Sequence, residues 1–278
     1  MEFIVIVVGL LLMRQLGSLA ALQRDSWFLS LVTKLHQALV AAPWLAKLLA
    51  MIVPVAALGV VSWWVTDRWL GVPLFLISLL VFLYSLGRGD LEKDVEEYQE
   101  DLGRGDEQAA YHDIAAFTDN NQQAVAESAE QAHQEAVRMI AYRYFERYFA
   151  VMFWFILAGA PGALLYRLAV IYHRQSLRDN PEKAADDRWL WLLEWLPARL
   201  VGISLAVVGN FPACLARLTE SIVSGEGSAE VLGKYALAAS ATEIRDEDGL
   251  VATSDIEALF TRTLIFAVFM VAVFVVLL

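Results

Sequence analysis

Four charged residues stand within or beside long apolar runs: Arg14, Arg167, Glu194 and Arg199. A charge at membrane depth is costly to desolvate, so it is kept where it pairs, binds or lines a polar cavity. An arginine there offers a planar fork of donors suited to carboxylates and phosphates. Glu194 and Arg199 share the stretch WLWLLEWLPARL from Trp189 to Leu200, where they face a common polar pocket or snorkel to the interface. Arg167 closes a second run, which carries Pro161-Gly162 at its centre and has Glu146 just ahead of it. Proline removes a backbone donor and clashes with the preceding turn, so two half-helices are expected, either as a kink or as a re-entrant pair. Such breaks are frequent at binding sites in membrane proteins. Arg167, Glu194, Arg199, Arg14, Pro161 and Gly162 are therefore the candidate ligand site. In it Arg167 and Arg199 would pair with a small anion, Glu194 would hold one arginine in place, and the break would expose half-helix termini.

Other chemistries find less support. The single cysteine, Cys214, excludes an internal disulfide and a cysteine-rich metal site. Glu130 and His133 have the Glu-x-x-His spacing of bundle metal sites but lack a second pair. Asp90, Glu92 and Asp94 lack the glycine and the terminal glutamate of a calcium loop. A haem or corrinoid would need His36, His112, His133 or His173, and no spacing identifies a partner for any of them, so no cofactor is predicted. No nucleophile elbow, phosphate loop, zinc-protease helix or dinucleotide fingerprint is present, and Gly225-Glu-Gly227 reads as a turn.

The elements that must position these residues are apolar helices. Hydrophobic residues make up 58% of the 278-residue chain, above the usual share for a soluble domain. Runs at 46–65, 69–86 and 259–278 are long enough to span a bilayer. The run starting at Phe3 is interrupted by Arg14, with Leu16 to Leu22 beyond it, and shows no leader-peptide cleavage site. The net charge of −11 argues against a nucleic-acid partner. That charge is concentrated: residues 87–146 hold 15 acidic against 5 basic side chains. Within this insert Leu91, Val95, Tyr98 and Leu102, then Val125, Ala129, Ala132, Ala136 and Ile140, recur at helical spacing. The expected fold is all-α: a polytopic membrane protein with a helical soluble insert and a Pro-Gly-broken membrane segment. Its parts are an N-terminal membrane region (1–86, helices about 3–22, 46–65 and 69–86), the acidic insert (87–146), a core with the broken helix (147–213), an amphipathic region (214–258) and a final span (259–278). Basic residues gather at Arg24 to Lys47 and again at Arg167, Arg174, Arg178, Lys183 and Arg188. Both clusters favour the cytoplasm, which a re-entrant 149–172 would allow.

Two stretches, FWFILAGAPGALLYR (153–167) and DRWLWLLEWLPAR (187–199), resemble the CobD/CbiB membrane family, whose best-known members join an aminopropanol phosphate to the corrin side chain. The length, layout and acidic insert look like its AmpE branch. The synthases' His-Pro-Val-type stretch has no counterpart in Leu16 to Leu35, and Ala169-Val-Ile-Tyr172 stands where they carry an Asn-Thr-x-Asp segment. Glu146, followed by Arg147, falls near a family Asp, and that resemblance adds it to the candidate ligand site. Without those polar groups no synthase activity is expected. The AmpE resemblance implies a non-enzymatic inner-membrane sensor or regulator linked to β-lactamase induction and peptidoglycan recycling, binding a muropeptide-like or other small anionic ligand. Two readings stand beside it: a divergent amide-forming synthase, and a scaffold whose insert docks a soluble partner by its apolar stripe. Contact with membrane lipids is expected in every case, and oligomerisation is left open.

Overall fold

The computed structural model describes residues 1–16, 23–66, 71–87, 91–104, 129–179, 188–240 and 253–277. Among them the chain is helical throughout and holds no strand, as the apolar periodicity predicts. Four helical runs are long and apolar enough to cross a membrane: Pro43–Val65, His133–Asp179, Trp189–Val208 and Thr253–Leu277. Leu16 to Leu22 as a continuation of the first helix, the start of the 69–86 run at Trp69, and His112 lie outside the described residues or their side chains. The packing groups the rest into two units: Met1–Gly89 with Ala150–Leu190, and Asp90–Phe149 with Trp191–Leu278.

The first unit holds α1 (Glu2–Leu16), α2 (Ser26–Ala38), α3 (Pro43–Val65) and α4 (Val72–Ser85). Pro43 opens α3 where its missing N–H costs nothing. Helix α4 is shorter than the 69–86 span expected for it. Gly71, at φ 76°, is its N-cap, and the helix runs only 14 residues, about 21 Å against the roughly 30 Å of a hydrocarbon core. Against these helices packs the run Ala150–Asp179, which is two helices meeting at Ala158 (φ −135°, ψ 16°) and Gly159 (φ 64°, ψ −156°).

The break therefore lies two residues ahead of the expected Pro161-Gly162. Pro161 sits in the first turn of the second half, 160–179, where no hydrogen bond is lost, so the chain bends before it. Gly159 takes a backbone conformation nearly confined to glycine. Gly162 instead permits a close approach, since a Cβ there would meet the Trp154 carbonyl oxygen at 2.4 Å. In one straight helix those positions would be about 12 Å apart, so the halves turn sharply upon each other. From the second half Leu164, Leu168 and Ile171, spaced four and three, bury against Phe28, Val32 and Ala50.

The second unit holds α5 (Leu91–Gly103), α6 (Ala129–Tyr144), a π-helical turn (Phe145–Phe149), α8 (Trp189–Val208, from Trp191 on), α9 (Phe211–Val223), α10 (Ser228–Ala239) and α11 (Thr253–Leu277), with α7 denoting Ala150–Asp179 of the first unit. Of the two stripes of the insert, Leu91, Val95, Tyr98, Ala136 and Ile140 are buried, while Leu102, Val125, Ala129 and Ala132 lie outside the described residues or their side chains. Helix α5 packs on α6 and α11. Its acidic side remains in water, with Glu97 paired to Lys93 and Glu100 to Arg104. Gly233 of α10 lets that helix approach α6 closely, since a Cβ would lie 3.2 Å from the Arg138 Cα. Asn210 caps α9 by accepting the Ala213 N–H at 3.3 Å.

Candidate functional site

Among its described residues the first unit contains one buried charge centre. Arg167 lies on α7 two turns past the break, and its Nη2 meets Asp25 Oδ2 at 3.2 Å. Asp25 stands at the N-cap of α2 yet makes no capping hydrogen bond. An N-cap aspartate ordinarily accepts from the first turn of its own helix; here both oxygens serve the core instead. The hydroxyl of Tyr84, on α4, donates to Asp25 Oδ1 at 3.1 Å. Gly87, at φ 78°, closes the back of the guanidinium: a Cβ there would be 3.0 Å from Nη1. The side chains of Arg167 and Asp25 are 5% and 17% exposed, so this is a screened, neutral pair rather than a surface bridge.

The second unit handles its buried arginine otherwise. Arg199 on α8 donates from Nη2 to the Ser221 carbonyl at 2.9 Å and from Nη1 to the Trp195 carbonyl at 3.2 Å. Its guanidinium carbon stands 5.0 Å from the centre of the Trp195 ring, a cation–π contact. Its Nε is buried without a hydrogen-bond partner, and no carboxylate among the described residues lies within ion-pair distance of it. The neighbourhood is polar and tightly packed. The Ser221 hydroxyl bonds the Tyr235 hydroxyl, and the Cys214 thiol donates to the Tyr235 carbonyl at 3.6 Å. Gly202, one turn along α8, makes room for the Tyr235 ring, which a Cβ would meet at 2.4 Å. Burial pushes the Cys214 thiol up to about 11, so it stays protonated at neutral pH.

The remaining candidates occupy separate places. Glu194 is buried and accepts from the Tyr142 hydroxyl at 2.9 Å. It and Arg199 take different partners. Glu146 is buried in the π-helical turn, 3.8 Å from Arg143 Nη1; such turns are enriched at functional sites. Arg14 is exposed near the end of α1, consistent with the snorkelling alternative. Pro161 and Gly162 shape the turn of α7. Sequence reasoning missed Asp25 and Tyr84. The signal available was the demand of Arg167 for a counter-charge, which Asp25, a few residues before an apolar helix, can meet. Among the described residues no three of His, Cys, Asp and Glu come together to hold a metal ion. The described part of the first stripe of the insert, Leu91, Val95 and Tyr98, is covered within its own unit.

A family model described as "Regulatory signalling modulator protein AmpE" matches residues 5–278. The chain belongs to the AmpE family. This bears out the resemblance carried by 153–167 and 187–199, and with the four membrane-competent helices it makes the chain a regulatory membrane protein. Among curated relatives, "Cobalamin biosynthesis protein CobD" of Stutzerimonas stutzeri (strain A1501) is 29% identical over 169 residues, 55% of this chain and 54% of the relative. The CobD protein of Chromobacterium violaceum is 26% identical over 139 residues, 49% of this chain and 44% of the relative. The alignments thus span about half the length of the relatives they match. No solved structure matches the chain.

Proposed function

We propose that the chain is a non-enzymatic regulator of the bacterial inner membrane, tied to β-lactamase induction and peptidoglycan recycling, which binds a small anionic, cell-wall-derived ligand at Arg199. One observation carries the reading: a buried guanidinium held by two carbonyls and an indole face, with Glu226 acting on it only from beyond ion-pair distance and no carboxylate in contact among the described residues. A buried charge without a counter-charge is expensive, and an incoming carboxylate or phosphate supplies the missing half. Arg167, already neutralised by Asp25, orders the first unit instead of contacting ligand. Membership of the regulatory family supports the role and does not name the ligand.

The test is induction in cells. Arg199→Gln, at an unchanged protein level in the membrane, lowers inducible β-lactamase several-fold. Arg199→Lys, which keeps the charge, retains most of it. Full induction by Arg199→Gln would remove Arg199 from the signalling route. The two CobD relatives favour one second reading, a divergent synthase using Glu146. Turnover of a cobinamide precursor that disappears in Glu146→Gln would establish it; no turnover is expected.

A further inference from the structure

We infer that the first unit carries a headgroup site for an anionic phospholipid, built on Lys47 and His36 with Tyr172 and Trp189 as its aromatic floor. Lys47 is one turn into α3, at the end of a spanning helix, and its Nζ stands 5.0 Å from the centre of the Tyr172 ring and 5.9 Å from that of Trp189. The His36 ring stacks on the same Tyr172 at 6.3 Å with 22° between planes. His36 Nδ1 is 2.9 Å from the Val32 carbonyl oxygen, so it carries the hydrogen of that bond and Nε2 remains for a ligand. Four parts of the chain thus converge: the end of α2, the start of α3, the later part of α7 and Trp189.

Charge and exposure at this end fit a lipid. Residues 31–50 contain Lys34, His36 and Lys47 and no acid, and 168–179 add His173, Arg174 and Arg178 against Asp179 alone. Trp44 is 65% exposed and Trp189 is 49% exposed, as expected of indoles lying at headgroup level. A lysine beside the tip of a spanning helix, oriented by two rings, is placed for a phosphate diester at the bilayer surface, and clustered basic residues there select anionic lipids. The inference is independent of the Arg199 reading, which concerns the other unit.

The experiment is co-purification in mild detergent followed by native mass spectrometry after exchange into nanodiscs of phosphatidylcholine with increasing phosphatidylglycerol. Retention of phosphatidylglycerol over phosphatidylcholine is expected for the unaltered chain. Lys47→Gln lowers it about fivefold, the factor one lysine near an anionic surface is worth, whereas Lys47→Arg preserves it. Tyr172→Leu lowers it with Lys47 intact, separating loss of the floor from loss of the charge. Equal retention of both lipids, or unchanged retention in Lys47→Gln, overturns the site. Displacement of the lipid by millimolar inorganic phosphate overturns it as well, by showing that free phosphate is the occupant.

Discussion

Arg167 and Arg199 are both buried guanidiniums on apolar helices, and the chain treats them in opposite ways. Arg167 receives a carboxylate from Asp25, which is itself steadied by Tyr84. Arg199 receives carbonyl dipoles and an aromatic face, partners that hold its position without cancelling its charge. A charge neutralised inside its own unit stabilises the arrangement around it. A charge left open keeps an attraction that something from outside can satisfy. Substitution at the two centres should therefore divide cleanly between stability and binding.

The largest effect belongs to the first centre. Arg167→Leu takes the guanidinium counter-charge from the buried Asp25 carboxylate, with an expected cost of about 3–5 kcal/mol, read as a lower unfolding midpoint in detergent. Asp25→Leu/Arg167→Leu should lie nearer the parent than either single change. Additive losses would mean that the two groups act separately.

The turn of α7 comes next. Gly159→Ala forces a side chain into a conformation nearly reserved for glycine, and Gly162→Ala drives a Cβ onto the Trp154 carbonyl. Each should cost about 1–3 kcal/mol, while Gly225→Ala, with open space around it, should leave the midpoint where it is. Tyr84→Phe removes one hydrogen bond to Asp25, for about 1 kcal/mol. That loss should vanish when Asp25 is already Leu.

Arg199→Met is expected to stay within about 1 kcal/mol of the parent or to exceed it, because an apolar replacement of an unneutralised buried charge gives up little stability. A loss as large as that of Arg167→Leu would make Arg199 a structural brace and erase the contrast. The smallest change is chemical. With its thiol at about 11, Cys214 should alkylate at pH 8 on the order of a hundredfold more slowly than an ordinary exposed thiol, and the rate should climb until the pH passes that value. Fast labelling at pH 8 would show that the packing around Arg199, Ser221 and Tyr235 opens.

Much of this was legible before the fold, and the boundary has physical causes. The rule that charges in apolar runs are retained for a reason picked out Arg167, Glu194 and Arg199, the family resemblance added Glu146, and all four are buried. It could not separate them from Arg14, because snorkelling depends on where a helix ends. Helical spacing identified the stripe of Leu91, Val95 and Tyr98. Periodicity says which face is covered and is silent on what covers it, so the stripe read equally well as a docking surface. The break was displaced by two residues because proline announces a bend that the backbone makes just before it. Asp25 escaped notice because an aspartate before a helix reads as a cap, and its partner stands 142 positions away. The convergence of His36, Lys47 and Tyr172 depends on α7 folding back, a tertiary fact that no local pattern encodes.

The contrast between the two arginines stands or falls on whether the open charge of the second unit is filled from outside. Native mass spectrometry of the detergent-purified chain, titrated with an anionic muropeptide, measures this directly. The expected result is one ligand per chain on the parent and on Tyr84→Phe, and none on Arg199→Gln. Equal binding to the parent and to Arg199→Gln, or a parent that binds nothing, would contradict it.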